Sequence, residues 1–207
     1  MNTGFRYKKS ELGVFSAGAD APVSKLEKNG RVIGLTMGQF SLIDLIHSIL
    51  KKTGPAQVIC STWSAGIKDA NQVKWLLDSN LITSFSLITD HSYATRQSKY
   101  SLTIEQVFGP ENIRTSEIHA KFVLIKNADW NIAIRTSMNL NANKTCETFE
   151  IDDSIEVYDF YMNFVNHVFG FMGQGFTASS WKCTSQLRDF FGAETKKKSE
   201  FSFWSNE

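Results

Sequence analysis

The sequence predicts an α/β protein with a mixed β-sheet sandwiched between helices, and three observations carry that prediction. Apolar runs of strand length, QVICSTW at 57–63 and SFSLIT at 84–89, alternate with segments of helical period. Two more apolar runs flank an Asn127-Ala128-Asp129 turn signal, the pattern of an antiparallel hairpin. A long helical stripe, Ile155, Tyr158, Met162, Val165 and Phe169, follows the hairpin. Strand–helix alternation gives parallel neighbours and a hairpin gives antiparallel ones, so the sheet is mixed.

In chain order, residues 1–30 are broken by Gly4, Gly13, Gly18 and Pro22 and read as an N-terminal arm, lying against the body or a partner subunit. Residues 31–36 (RVIGLT) form a short strand. Ser41 caps the next helix with Asp44 at N3, a variant of the capping box; Leu42, Leu45, Ile46 and Ile49 give it an apolar face, and Gly54-Pro55 stops it. The run at 57–63 is mostly apolar, as in a strand buried on both faces. A helix over 69–79 turns Val73, Leu76 and Leu77 inward. The 84–89 strand continues into a polar loop at 90–99, and a short helix over 101–108 ends at Gly109-Pro110. After the hairpin comes a strand through 148–151, and Ser154 caps the closing helix. The main domain spans 31–173. An extension, 174–207, carries aromatics and Lys196-Lys197-Lys198, which read as solvated charge or a nucleic-acid contact.

A chain of 207 residues can bury one substantial core, and 42% hydrophobic with 21% charged residues is ordinary for a globular protein. Net charge is +1, so any nucleic-acid binding must rest on a local basic patch. Three widely spaced cysteines, Cys60, Cys146 and Cys183, indicate free thiols in a reducing compartment. The N-terminus has basic residues but no continuous apolar run behind them, and no window approaches 18 consecutive apolar residues. Neither a signal peptide nor a membrane span is expected, and the expected location is cytoplasmic.

The hairpin carries the chemistry. His119 and Lys121 sit two apart on its first strand, Ser137 and Asn139 two apart on its second, so each pair shares a face. A hairpin centred near Asp129 sets His119 opposite Asn139 and Lys121 opposite Ser137, about 4.5–5.5 Å apart at Cβ. Buried polar groups without partners cost about 1–3 kcal/mol each. A bound anion is the natural partner for this cluster.

The series His119-x-Lys121, Asp129, then Thr136-Ser137-x-Asn139 resembles the phospholipase D superfamily signature, His-x-Lys-x4-Asp-x6-Gly-Ser-x-Asn. Seven residues rather than four separate Lys121 from Asp129, Lys126 stands at the family's acid position, and Thr136 replaces Gly. The extra three residues read as a longer hairpin tip. Glu147 resembles the downstream acid that orients the nucleophilic histidine in small nucleases of this group.

The resemblance implies a phospholipase D-like fold over about residues 31–173 and phosphodiester hydrolysis without cofactor or metal. His119 is then the nucleophile, through a phosphohistidine, while Lys121, Asn139 and Ser137 hold the phosphate oxygens and Glu147 fixes the imidazole tautomer. The leaving group needs a second imidazole, and of His47, His91 and His167 none is followed by a lysine two positions on. A homodimer pairing two His119 side chains is therefore expected. Arg96 and Lys99 in the 90–99 loop are candidate nucleic-acid contacts beside a solvated-loop reading, and Trp63 and Ser64 either line the cleft or, for Trp63, pack in the core. His47 and His167 read as structural. The leading function is a DNA endonuclease without membrane association. A catalytically weak or inactive nucleic-acid-binding protein of the same fold is the alternative, and phospholipid hydrolysis is disfavoured for want of a lipid-facing apolar loop.

Overall fold

The computed structural model describes residues 9–142 and 144–176, with 189 and 192 as isolated positions. Cys183, the lysine triplet and the aromatics at 181–207 lie outside the described residues. Eight strands form one sheet: β1 (Lys9–Val14), β2 (Gly30–Thr36), β3 (Ala56–Thr62), β4 (Ile82–Asp90), β5 (Ile113–Ser116), β6 (Phe122–Lys126), β7 (Asn131–Thr136) and β8 (Glu147–Asp153). Their spatial order is β1-β2-β8-β7-β6-β3-β4-β5. The flanks, β1–β2 and β3–β4–β5, are parallel, and the pairings from β2 through β8, β7 and β6 to β3 are antiparallel. The sheet is mixed, as the sequence predicts.

Among the described residues six α-helices cover it: α1 (Asp20–Ser24), α2 (Leu42–Thr53), α3 (Ile67–Asp78), α4 (Tyr93–Arg96), α5 (Ser98–Phe108) and α6 (Ile155–Phe171). Strand alternation divides the core in two. Val58 and Cys60 of β3, Val123 and Ile125 of β6 and Ile132 and Ile134 of β7 face the layer built by α1, α2, α3 and α5. Ile59, Phe122, Leu124 and Ala133 face the other way, onto Tyr158, Val165 and Val168 of α6. A strand buried on both faces must be apolar throughout, which is why β3 and β6 read as continuous hydrophobic runs. Cys60 is a free, fully buried thiol whose pKa burial pushes to about 12; Cys146 is free and exposed.

Local chemistry sets the ends of these elements. Ser41 Oγ accepts the Asp44 N–H at 3.3 Å while the Asp44 carboxylate takes the Ser41 N–H at 2.9 Å, a complete capping box on α2. Ser154 Oγ accepts the Val157 N–H at 3.2 Å on α6. The Lys52 ammonium donates to the carbonyls of Val23, Ser24 and Leu26, satisfying the C-terminal end of α1.

Four expectations are corrected. Part of the presumed arm is integral: Lys9–Val14 adds a parallel edge strand to β2, and α1 packs on α2. Residues 90–99 are not a loop, because α4 forms there around Tyr93, whose buried hydroxyl donates to the Ala65 carbonyl at 2.7 Å, and α5 starts at Ser98. Ile113–Ser116 forms a strand the sequence reading left out. The hairpin register is shifted by one residue, with Phe122 opposite Arg135 and Lys126 opposite Asn131. Asn127 is the reason. Its Oδ1 accepts the N–H groups of Asp129 and Trp130 at 3.0 and 2.9 Å, fixing a four-residue turn whose midpoint falls between Ala128 and Asp129.

Candidate active site

The register change puts Lys121 opposite Thr136, whose N–H donates to the Lys121 carbonyl at 3.2 Å. His119 and Lys121 precede β6 and Ser137 and Asn139 follow β7, so all four stand beyond the strand ends rather than on the strands. They gather at the edge where β3 ends and β8 begins. Chain outside the ladder is freer to aim side chains at a ligand.

Asn139 is locked onto the exit of β3. Its Oδ1 accepts from the Trp63 N–H at 3.2 Å and from the Ser64 N–H at 3.3 Å, with the Thr62 hydroxyl 3.2 Å away and donating its proton to the Ser64 carbonyl at 2.8 Å. The two backbone donors fix the amide orientation and leave Nδ2 as the group able to donate to a ligand. Thr62 Oγ1 also accepts the Leu140 N–H at 3.0 Å, and Asn141 Nδ2 donates to Ser64 Oγ at 3.0 Å. Thr62 and Asn141 escaped the sequence reading. The available signal was the Ser-Thr-Trp-Ser run ending an otherwise apolar strand.

His119 is exposed and lies against the indole of Trp63, ring centroids 5.7 Å apart and tilted by 55°. His119 and Asn139 therefore converge on one residue, the first on its ring and the second on its backbone N–H. Lys121 Nζ donates to the His119 carbonyl at 3.0 Å and lies 3.4 Å from Nδ1. An ammonium only donates, so this contact presents Nδ1 as acceptor. Burial lowers the Lys121 pKa, and the nearby Glu147 charge opposes that shift.

Glu147 is tied to its own junction. Its carboxylate accepts from Ser137 Oγ and from Thr145 Oγ1, the latter at 3.4 Å. Ser137 Oγ in turn accepts the Thr148 N–H at 2.9 Å, so this serine joins Glu147 to the start of β8. The physical cause is local: Ser137 pairs with Thr148 across the β7–β8 end, which brings its hydroxyl to the first residue of β8. Thr136, in place of glycine, donates to the Thr148 carbonyl at 2.7 Å and lies in the same junction.

Arg96 reaches the site and Lys99 does not. The Arg96 guanidinium carbon sits 3.7 Å from the Trp63 ring centroid, and Nη2 donates to the Trp63 carbonyl at 3.3 Å. Lys99 is exposed in the first turn of α5, and no side-chain contact joins it to the site among the described residues. Asp129 is at the hairpin tip, the far end of β6 and β7. His47 meets Trp75 edge-on, and His167 stacks on Phe171. No group of three or more His, Cys, Asp or Glu placed to hold a metal ion occurs among the described residues, and no helix there is long and apolar enough to cross a membrane.

The order of layers and the mixed sheet are those of a phospholipase D-like fold. The chain is similar to NucT from Helicobacter pylori at 13% identity, over 70% of this chain and 99% of that one, with a TM-score of 0.51. It is also similar to phosphatidylserine synthase from Haemophilus influenzae Rd KW20, at 12% identity over 82% of this chain and 46% of that one, TM-score 0.50. A phospholipase D family member, Nuc from Salmonella typhimurium, aligns at 10% identity over 70% of this chain and 96% of that one, TM-score 0.48. No family model and no curated protein matches the sequence.

Proposed function

We propose that the protein is a metal-independent phosphodiesterase, a DNA endonuclease working through a phosphohistidine. The observation that carries this is the exposed His119 imidazole beside the Lys121 ammonium, next to an Asn139 amide whose orientation is fixed. Lys121 and Asn139 Nδ2 hold the non-bridging oxygens of a phosphodiester and neutralise charge as it builds in the transition state. An imidazole nitrogen of His119 attacks phosphorus, the N–P bond forms and the bond to the leaving oxygen breaks. That oxygen takes a proton from the His119 of a second copy. The same group then accepts a proton from water as the water oxygen attacks phosphorus and the N–P bond breaks. Glu147, through Ser137, holds the β7–β8 end on which the site rests, and Arg96 borders the cleft as a backbone contact. Lys99 stands as an outlying contact of the same strand.

The test is nicking of supercoiled plasmid with and without EDTA, by wild type and by His119→Ala. EDTA-resistant cleavage that falls at least about 10³-fold in the variant is expected, the scale for loss of a nucleophile. One observation favours a second reading, a binding protein without catalysis: Thr136 stands at the family's glycine position, and its side chain occupies the junction beside Ser137. Retarded DNA in a gel shift with no nicking by wild type would establish that reading. Release of choline from phosphatidylcholine vesicles, with DNA untouched, would move the substrate class to phospholipid.

A further inference from the structure

We infer that Trp63 is the positioning residue for His119, and that Arg96 holds it in that role; this rests on the proposed nuclease reading. An imidazole that attacks phosphorus must be held at one angle, and a carboxylate bonded to its second nitrogen is the usual means. Here the Glu147 carboxylate accepts from Ser137, and among the described residues the side chains against His119 are the Lys121 ammonium at 3.4 Å and the Trp63 indole at 5.7 Å. The lysine is a mobile point charge that substrate phosphate will draw away. The indole is then the rigid wall that limits how the imidazole turns.

Trp63 is built to be rigid. Its N–H is bonded to Asn139 Oδ1 at 3.2 Å and its carbonyl to Arg96 Nη2 at 3.3 Å, so both sides of the residue are pinned. The guanidinium stacks on the ring at 3.7 Å. Arg96 is itself tethered, by Nε to Ser92 Oγ at 2.8 Å and by an ion pair to Asp90 at 3.8 Å, and Ser92 donates its N–H to the Asp90 carboxylate at 3.0 Å. The line Asp90, Ser92, Arg96, Trp63, His119 thus carries the rigidity of the end of β4 to the imidazole. A core-packing tryptophan needs none of this, and Trp63 is only half-buried.

The experiment follows the His119 imidazole C–H resonances, assigned by their absence in His119→Ala, together with plasmid nicking at saturating DNA. Trp63→Leu is expected to displace those resonances, because the ring current is gone, and to lower kcat by about 10²-fold, the scale for a misplacement near 1 Å. KM stays within about threefold, since the interaction serves the transition state. Trp63→Phe is expected to restore most of kcat, and Arg96→Gln to move the same resonances in the same direction as Trp63→Leu by a smaller amount. Resonances that stay put in folded Trp63→Leu or in Arg96→Gln overturn the inference, whatever happens to kcat. If His119→Ala nicks like wild type, the nuclease reading fails instead, and the resonances still report whether the indole governs the ring.

Discussion

Lys121 concentrates the electrostatics of the site in one group. Burial lowers its pKa from 10.5, and the Glu147 charge pulls the other way. As pH rises, the ammonium therefore loses its proton earlier than an exposed lysine would, and with it the charge that the proposed mechanism sets against phosphate. Cleavage should decline on the alkaline side before pH 10.5. Glu147→Gln keeps an oxygen for Ser137 but removes the opposing charge, so the decline should move to lower pH. The pH profile of kcat/KM for the two proteins checks this, and a decline that stays or moves upward refutes it. Gly34 of β2 shows a different constraint, steric only. An added Cβ would come within 2.4 Å of Phe149 and 2.7 Å of Phe15. Gly34→Ala should cost about 1–3 kcal/mol by overpacking, read as a lowered urea midpoint with unchanged m.

The hairpin tip shows what an element gains from one side chain. Besides closing the turn, Asn127 donates through Nδ2 to the Thr53 carbonyl at 2.9 Å, an unpaired acceptor at the end of α2. Asn127→Ala removes both roles and should destabilise by about 1–3 kcal/mol in urea unfolding, with nicking per folded molecule unchanged. The tip also marks where the sequence was legible. Both hairpin strands are evident from their apolar runs, yet counting residues cannot distinguish a midpoint on Asp129 from one beside it. The choice depends on which N–H groups Asn127 accepts. Helix α2 was legible because Ser41 and Asp44 sit three apart ahead of an i, i+3, i+4 apolar stripe. Strands β1 and β5 were not, because KSELGV and IRTS are short and half polar and gain their pairing from β2 and β4, distant in sequence or reached through helices. Likewise the residue types at the site were visible, but the bond from Ser137 to Glu147 is a matter of geometry across β7 and β8.

At the scale of the whole molecule, the site lies where β3 ends and β8 begins, on chain just beyond the ends of β6 and β7, and His119, the proposed nucleophile, is exposed there. The chemistry asks for two imidazoles. His91 is at the end of β4, 3.6 Å from the Asp90 carboxylate, and the chain offers no second His-x-Lys. In the proposed mechanism, a symmetric pair that faces two such edges together would supply the missing group. Sedimentation should accordingly give twice the 23.3 kDa chain mass for the active species. An active monomer would remove the shared site, and loss of its activity in His91→Ala would assign the acid to His91.

Strands β6 and β7 also act as spacers. Five residues of β6 at roughly 3.4 Å each separate the reactive groups from the Asn127–Trp130 turn by about 17 Å. Extra length at the turn, such as the three residues by which this hairpin departs from the signature it resembles, falls at the end away from His119 and Asn139. The same separation makes Ala128-Asp129 a suitable point to graft a fluorophore or open new termini, a handle remote from the proposed site.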